Sequence, residues 1–238
     1  MLILAMESSA KPASVAVCKD GMLLGQYYQN SGLTHSRTLM KMTESLLSNM
    51  DVSIADVDLF AVSKGPGSFT GVRIGVSAAK GLAWGADKPI CGVSTLEAMA
   101  YQIPEAGAII CPVMDARRKQ VYNALFEWQD GALIRLCDDR AISLEELALD
   151  LQGFRQRGSG SQSLLVGDGA EMSYDHLSAA GVSCRIAPAL MQFQTAFGVA
   201  LAAMNTDPTT AIELEPSYLR PSQAERMKNG SGYTDSGR

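Results

Sequence analysis

Short apolar runs bounded by turn residues alternate along this chain with longer segments of helical periodicity. Asp20-Gly21 lies between two such runs and predicts a tight hairpin, because glycine tolerates the positive φ that the turn requires. Thr34 stands where it can cap a helix, and Ser94 and Thr95 precede another. The predicted elements of the first half are strands at 2–6, 14–19, 22–29, 59–64 and 90–93, and helices at 35–50, at 69–85 and after residue 95.

The second half repeats this order of elements. Its first strand ends in Asp115, just as the first strand of the chain is followed by Glu7, and Asp130-Gly131 predicts a second hairpin. Ser143 can cap the helix that follows. The predicted elements are strands at 109–114, 121–128, 132–137, 164–166 and 184–186, helices at 143–151, 170–180 and 191–204, and a Gly/Ser-rich linker at 153–163.

The repeated order predicts an α/β protein of two duplicated lobes, each a mixed sheet flanked by helices. Such a pair of lobes resembles the ASKHA architecture of actin, hexokinase and the heat-shock ATPases. We place the N-terminal lobe at 1–105 and the C-terminal lobe at 106–221. The remainder, 222–238, has no apolar periodicity, and we expect it to be a flexible tail.

Composition and charge narrow the class of protein. With 47% hydrophobic residues the 238-residue chain can bury a core, and no apolar run approaches the roughly 18 residues that a membrane helix needs. Five cysteines without a C-x-x-C pair indicate reduced thiols in a cytoplasmic protein. The net charge of −5 argues against a chain that grips nucleic acid alone, and the one compact basic cluster, Arg117-Arg118-Lys119, is typical of a solvated turn.

A glycine-rich turn at 65–71 joins a predicted strand to a predicted helix. Such a turn can hold an anion on the free N–H groups of the helix. It lacks the P-loop lysine, because Val72-Arg73 follows its last glycine, and Thr70 stands where a dinucleotide fingerprint needs its third glycine. A tight turn without any ligand is an equally good interpretation.

Two long helices of the first lobe indicate a surface that binds a partner. Small residues at Gly71, Gly75 and Ala79 would let another helix approach closely, and the helix at 35–50 carries two apolar stripes, rich in adaptable methionine. The alternative is that both helices are buried within their own lobe. The predicted interface residues are His35, Leu39, Met42, Leu46, Met50, Gly71, Val72, Gly75, Val76 and Ala79.

Few residues are candidates for independent catalysis. Glu7-Ser8-Ser9 and Asp115 each follow the first strand of a half and could hold nucleotide or metal, or could simply cap a hairpin and pair with arginine. Asp168 is placed to cap a helix. Of the two histidines, His35 at a helix start is typical of a capping or surface residue, and the chain has neither an H-x-x-x-H metal motif nor a G-x-S-x-G elbow.

Several stretches resemble one family, TsaB (also called YeaZ), a bacterial subunit for biosynthesis of threonylcarbamoyladenosine in tRNA. The most specific are Gly65-Pro66-Gly67-Ser68-Phe69-Thr70-Gly71-Val72-Arg73-Ile74-Gly75 and Asp115-Ala116-Arg117-Arg118. Others, in chain order, are 14–17, 35–36, 79–83, 92–98, 167–170 and 218–221. Glu7 departs from the pattern, since the family often has Asp there.

The resemblance implies an ASKHA fold without independent catalysis. In the family, TsaB pairs through its first two long helices with TsaD, the metal-bearing paralogue, and an ATPase, TsaE, joins them. The complex transfers threonylcarbamoyl from threonylcarbamoyl-AMP to the adenosine beside the anticodon. We therefore expect no metal in this subunit, ATP or ADP with Mg only at the interface of the complex, and contact with tRNA only through the complex. Because an exposed apolar helix pair tends to pair with a copy of itself, we also expect a homodimer when the partner is missing. A small-molecule phosphotransferase or ATPase is the alternative, and a protease is not expected.

Overall fold

The computed structural model describes residues 1–159 and 162–220 and contains two mixed β-sheets. The strands are β1 (Leu2–Glu7), β2 (Ala13–Lys19), β3 (Met22–Gln29), β4 (Leu59–Gly65), β5 (Ile90–Ser94), β6 (Ala108–Asp115), β7 (Gln120–Asn123), β8 (Phe126–Gln129), β9 (Ala132–Arg135), β10 (Arg140–Ser143), β11 (Gln162–Val166) and β12 (Cys184–Ile186). The helices are α1 (His35–Asn49), α2 (Phe69–Ala86), α3 (Thr95–Tyr101), α4 (Leu144–Gln156), α5 (Ala170–Ala179) and α6 (Ala196–Ala203).

The first sheet has the order β3-β2-β1-β4-β5, antiparallel from β3 to β1 and parallel from β1 to β5. Successive strand residues face opposite sides of a sheet, and both sides of this one are apolar. Leu4 and Phe60 pack with α1 and α2 on one side, whereas Ile3 and Ala61 pack with α6 on the other. The sheet is therefore covered on both faces, as parallel strands require.

The second sheet is built around β6, which pairs in parallel with β11 and antiparallel with both β7 and β8. Helices α4 and α5 cover one face through a core that contains Leu147, Leu151 and Leu177. On the other face Leu96 and Met99 of α3 pack against this sheet. Because Ala98 of the same helix packs in the core of the first sheet, α3 joins the two lobes.

Both Asp-Gly hairpins and most predicted strands and helices are confirmed, but three predicted segments are wrong. The predicted strand at 121–128 is two strands, since the buried amide of Asn123 donates to the carbonyl oxygens of Pro112 and Ala124 and interrupts the ladder. The predicted linker at 153–163 is mostly regular structure, because α4 continues to Gln156 and β11 starts at Gln162. The last helix starts at Ala196 rather than 191, and β10 was not predicted.

Hydroxyl caps follow the sequence in two of three cases. The Ser143 hydroxyl accepts the Glu146 N–H at 3.2 Å, and Ser94 accepts the Glu97 N–H at 3.3 Å. Thr34 occupies the cap position of α1 but makes no side-chain hydrogen bond there. Three of the five cysteine side chains, Cys18, Cys91 and Cys111, are buried, and all five are free thiols.

The last described part of the chain, from α6 onward, returns to the first sheet. Helix α6 packs on β1 and β2, Thr209 forms a bridge with Ile90, and the Lys80 amine donates to the carbonyl oxygen of Leu214 at 2.8 Å. The division at 105/106 stays a prediction, and this segment does not follow it. The tail predicted at 222–238 lies outside the described residues. Within residues 1–159 and 162–220, no helix has the length and apolar character to cross a membrane.

Arg135 of β9 should matter for stability, because it ties the second sheet to α3. Its guanidinium donates to Glu97 at 2.8 Å and to Asp139 at 2.6 Å, with all three side chains less than a third exposed. Arg135→Met leaves two half-buried carboxylates without their cation, so we expect the free energy of unfolding to fall by about 1–3 kcal/mol in urea titrations. The control Arg157→Met, which removes an exposed cation above Phe154, should change it far less; equal losses would refute the assignment.

Candidate functional site

The glycine-rich turn packs against the loop that follows β1. After a cis Gly65–Pro66 peptide bond, the Ser68 hydroxyl accepts the Gly71 N–H at 3.3 Å and caps α2. The Ser68 N–H donates to the carbonyl oxygen of Ser9 at 2.6 Å, and a Cβ at Gly67 would collide with that same oxygen. The turn is thus closed partly by its own chain, which favours the tight-turn interpretation over an open anion cradle.

The inner face of α2 is small because the same loop lies against it. A Cβ at Gly71 would collide with the Ser8 carbonyl oxygen, and a Cβ at Gly75 with the Ser8 hydroxyl. That hydroxyl donates to the Gly71 carbonyl oxygen at 2.9 Å. Two of the glycines predicted to receive a partner helix therefore receive Ser8 of their own chain.

The predicted interface residues lie mostly inside the first lobe. Only His35 and Met50 are partly exposed, and the other eight are buried, with the apolar members in the core formed by α1, α2 and the first sheet. The alternative, two helices buried within their own lobe, describes these eight: Leu39, Met42, Leu46, Gly71, Val72, Gly75, Val76 and Ala79. Docking on α1 and α2 stays a prediction, and it now has to rest on their outward faces.

The outward face of α2 carries a second line of small residues that the sequence analysis passed over. Ser77, Gly81 and Gly85 recur every four residues and are exposed, and a Cβ at either glycine would meet no atom within 4 Å. Beside them Trp84 is 74% exposed, and on the neighbouring helix Met40 is 44% exposed. The i, i+4 spacing was visible in the sequence, but two such lines exist in one helix and the periodicity does not say which one faces outward.

A cleft of about 520 Å³ lies between the two lobes. Its first-lobe wall is the loop after β1 together with the glycine-rich turn, and its second-lobe wall is the end of β6 with Asp168. The chain segment after α6 closes one side. The lining residues are Ser9, Ala10, Lys11, Pro66, Gly67, Ser68, Phe69, Met114, Asp115, Ala116, Arg117, Tyr122, Asp168, Ser217, Tyr218, Leu219 and Arg220.

Glu7 is fully buried and does not line this cleft. Its carboxyl group accepts the Ser9 N–H at 2.5 Å and is hydrogen-bonded to the Ser63 hydroxyl. Burial raises its pKa, although these hydrogen bonds and the nearby His35 act in the opposite direction. Desolvation therefore favours the neutral carboxylic acid, a form poorly suited to hold a cation.

The four residues predicted to hold nucleotide are not brought together. Ser9 and Asp115 line the cleft, whereas Glu7 and Ser8 are turned into the first lobe. Among residues 1–159 and 162–220, no three acidic, histidine or cysteine side chains are grouped as metal ligands would be. The predicted set therefore does not fit a magnesium nucleotide as one site.

Asp168 does not cap α5, contrary to the prediction; Gly169 occupies the cap position. The carboxylate of Asp168 instead accepts the Asp115 N–H at 3.1 Å, and burial raises the pKa of Asp168. Asp115 in turn accepts the Arg117 N–H at 2.7 Å and forms an ion pair with its guanidinium at 3.3 Å. The second-lobe wall is thus an acidic pair held by backbone N–H groups and one arginine.

His35 reaches the same loop from the start of α1. Its Nε2 lies 2.8 Å from the Ala10 carbonyl oxygen, while its Nδ1 is buried and has no hydrogen-bond partner among the described residues. The sequence had suggested a capping or surface residue. In the structure the partly exposed His35 side chain contacts the loop after β1 and helps to fix it.

Comparison with known proteins points to one family. The family model for "TsaD: tRNA N6-adenosine threonylcarbamoyltransferase" matches residues 29–224. The tRNA threonylcarbamoyladenosine biosynthesis protein TsaB of Bacillus subtilis is 38% identical over 61% of this chain, which is 64% of its own length. The TsaB protein of Escherichia coli is 29% identical over 97% of this chain and 99% of its own.

Solved structures agree on the fold. YeaZ from Pseudomonas aeruginosa is similar with a TM-score of 0.76 and 24% identity, over 92% of this chain and 99% of that one. A polyphosphate/ATP-glucomannokinase from Arthrobacter is similar at TM-score 0.50 and 11% identity, over 86% and 97%. The predicted ASKHA fold of two mixed sheets flanked by helices is confirmed.

The buried face of α1 can be separated from its exposed face by mutation. Leu46 is 2% exposed in the core and Met40 is 44% exposed on the same helix. Leu46→Asp places an unpaired charge in that core, so we expect loss of the cooperative thermal transition or a loss of at least about 3 kcal/mol. Met40→Asp should change stability by less than about 1 kcal/mol; a folded Leu46→Asp protein would contradict the packing described.

Buried Glu7 should make stability depend on pH. Because its folded pKa lies above its ordinary value of 4.5, its contribution to stability is fully present below pH 4.5 and is lost as the pH rises through the folded value. In Glu7→Gln the amide can keep both hydrogen bonds without ionising. We expect urea midpoints between pH 5 and 8 to fall more steeply with pH for the wild type than for Glu7→Gln.

The control for this titration is Glu44→Gln, which changes an exposed carboxylate on α1. It should follow the wild-type dependence on pH. Parallel curves for wild type and Glu7→Gln would show that Glu7 does not carry the effect.

Proposed function

The chain belongs to the TsaD family of tRNA N6-adenosine threonylcarbamoyltransferases, in its TsaB (YeaZ) branch, and from that membership we propose that it takes part in forming threonylcarbamoyladenosine in tRNA. We propose further that it does so as a non-catalytic subunit. A TsaD-type paralogue would transfer threonylcarbamoyl from threonylcarbamoyl-AMP to N6 of the adenosine beside the anticodon, and a TsaE-type ATPase would join the pair.

Glu7 supports the non-catalytic role. The carboxylate of Glu7, at the end of the first strand, is the group that could have met a nucleotide or its metal across the cleft. Here it is enclosed, hydrogen-bonded to Ser9 and Ser63, and favoured in its neutral form. We accordingly propose that any ATP, ADP or Mg belongs to the interface of the complex.

The exposed line of small residues on α2 carries the proposal of a docking partner. A glycine inside a helix costs about 1 kcal/mol relative to alanine, so its presence calls for a reason. At Gly75 the reason is Ser8, but at Gly81 an added Cβ would meet no atom of the described residues within 4 Å. Close approach by a helix of another chain is the remaining packing reason, and the neighbouring Trp84 supplies apolar area for it.

We define the docking face as the outward surfaces of α1 and α2 at Met40, Ile74, Ser77, Gly81, Trp84 and Gly85. Both helices cover the same side of the first sheet, so these surfaces lie next to each other. The same face can pair with a second copy of itself when the TsaD-type partner is missing. In a two-fold symmetric dimer both subunits use the same patch, so the docking face of one copy would contact the docking face of the other. We propose that the complex is cytoplasmic.

Gly81→Leu should separate docking from folding. The added Cβ meets no described atom within 4 Å and the position is exposed, so the thermal midpoint should stay within a few degrees or rise. It should block close helix contact, so we expect affinity for the TsaD-type partner to fall at least about tenfold in co-purification and calorimetry. Gly153→Leu is the matched control, since Gly153 is also a helical glycine with no atom closer than 3.7 Å to its added Cβ.

Reconstitution tests the function itself. The tRNA modification is assayed with this chain, the TsaD-type enzyme and the TsaE-type ATPase, omitting each in turn. Loss of modification without this chain, and its reduction by Gly81→Leu but not by Gly153→Leu, is the expected result. Undiminished modification without this chain would refute the proposed role, and full binding by Gly81→Leu would refute the docking face alone.

A further inference from the structure

The turn between β6 and β7 holds three cations in an unusual backbone conformation. Arg117, Arg118 and Lys119 have φ values of +66°, +57° and +57°. Side chains with a Cβ are disfavoured there, and residues that do adopt it occur singly and are mostly Asn or Asp. A turn that only connects two strands would favour residues that tolerate this conformation, such as Asn or Asp, and not three long cationic residues in a row.

Neighbouring groups fix this conformation. The Ala116 N–H donates to the Gln120 carbonyl oxygen at 3.0 Å, and the Gln120 N–H donates back to that of Arg117 at 3.2 Å. The carboxylate of Asp115 accepts the Arg117 N–H, and the Arg220 guanidinium donates to the Ala116 carbonyl oxygen at 2.6 Å. Strain that the surroundings maintain is typical of functional segments.

Arg117 lines the interlobe cleft, and Arg118 and Lys119 follow it in the same turn. All three residues are exposed, and within residues 1–159 and 162–220 neither Arg118 nor Lys119 forms an ion pair. Among the described residues, three acidic groups face the turn. Asp115 is paired with Arg117, Asp168 is within electrostatic reach of Arg117, and Glu145 is within reach of Lys119. Lys11 and Arg220 line the same cleft and extend the positive charge along its rim.

We infer that this rim, defined as Lys11, Arg117, Arg118, Lys119 and Arg220, contacts the phosphate backbone of the tRNA during modification. The inference rests on the proposed function. In a chain of net charge −5, five cations around one edge form a local surface complementary to a polyanion. Exposed arginines and lysines bind phosphates without reading bases, so the contact positions RNA that the catalytic subunit recognises. Such a small surface gives weak binding by itself and suits a chain that binds RNA tightly only together with a partner.

Charge reversal at the tip of the turn tests this in the complete complex with the TsaD-type and TsaE-type partners. We expect Arg118→Glu/Lys119→Glu to raise the KM for unmodified tRNA about tenfold or more while kcat at saturating tRNA stays within about twofold. The slope of log affinity against log salt should shrink by about 1.5, the value for two lost phosphate contacts. The swap Arg118→Lys/Lys119→Arg keeps both charges and should keep wild-type affinity.

The matched control is Lys19→Glu/Arg157→Glu, which makes the same change of charge at exposed positions away from the cleft. The inference is overturned if the tip variant matches this control in KM and salt slope. It is also overturned if the tip variant loses the protein partner rather than tRNA affinity, since the turn would then contact protein.

The proposed function itself fails if the wild-type chain neither binds the TsaD-type partner nor supports modification, and this result is distinct from those above. In that case anisotropy of labelled tRNA with this chain alone decides the inference. Weaker, less salt-dependent binding by Arg118→Glu/Lys119→Glu than by the control supports it, and equal or absent binding by wild type and variant overturns it.

Discussion

The close contact between the loop after β1 and the first turns of α2 is the constraint on which the rest of the structure depends. Ser8 occupies the space left by Gly71 and Gly75, and the Ser9 carbonyl oxygen accepts the N–H of Ser68 at the start of the helix. Glu7 is enclosed by the same contact. One packing arrangement therefore sets the angle of α2, narrows the cleft beside it and removes the carboxylate that could have served chemistry there.

That contact also distinguishes the inner face of α2 from its outer face. Glycines on the inner face are needed because backbone and hydroxyl groups of the loop lie against them, and larger residues there would push the helix off the sheet. Gly81 and Gly85 on the outer face have no such neighbour. The inner glycines therefore have a steric explanation within the chain, whereas Gly81 and Gly85 have none among the described residues.

Much of the fold could be predicted from sequence because its signals are local. Strand alternation and the Asp-Gly pairs at 20–21 and 130–131 depend only on neighbouring residues. One error depends on a residue further away in the chain, because the β7–β8 break rests on Asn123 bonding to Pro112. The late start of α6 has a local cause, the Thr195 hydroxyl that accepts the Gly198 N–H, which apolar periodicity alone does not reveal.

The candidate site shows the same limit more sharply. Sequence periodicity located the two helices and the glycine-rich turn, but it could not choose between two lines of small residues in α2, because the choice is made by Ser8, more than 60 residues earlier in the chain. Nor could it tell a solvated basic turn from a strained one, since the φ values of Arg117–Lys119 depend on Asp115 and on hydrogen bonds across the turn.

A single chain of contacts joins the docking face, the cleft and the basic rim. Arg73, exposed on α2 one turn before Ser77, lies 3.9 Å above the centre of the Phe69 ring and donates to the Tyr218 hydroxyl at 2.9 Å. Phe69 and Tyr218 stack, with ring centres 4.6 Å apart, and both line the cleft. Two residues after Tyr218, the Arg220 guanidinium donates a hydrogen bond to the Ala116 carbonyl oxygen, next to the basic turn.

Coupling between two surfaces can be carried by a continuous series of contacts such as this one. It also requires an element that can adopt two arrangements. The segment after α6 takes part in these contacts through Tyr218 and Arg220. It has no helix or strand of its own between Thr210 and Arg220, and side-chain hydrogen bonds from Arg73, Lys80 and Arg220 help to hold it. Arg73 precedes Ile74 of the proposed docking face, so a partner that covers Arg73 would compete for its hydrogen bond to Tyr218, which lines the cleft.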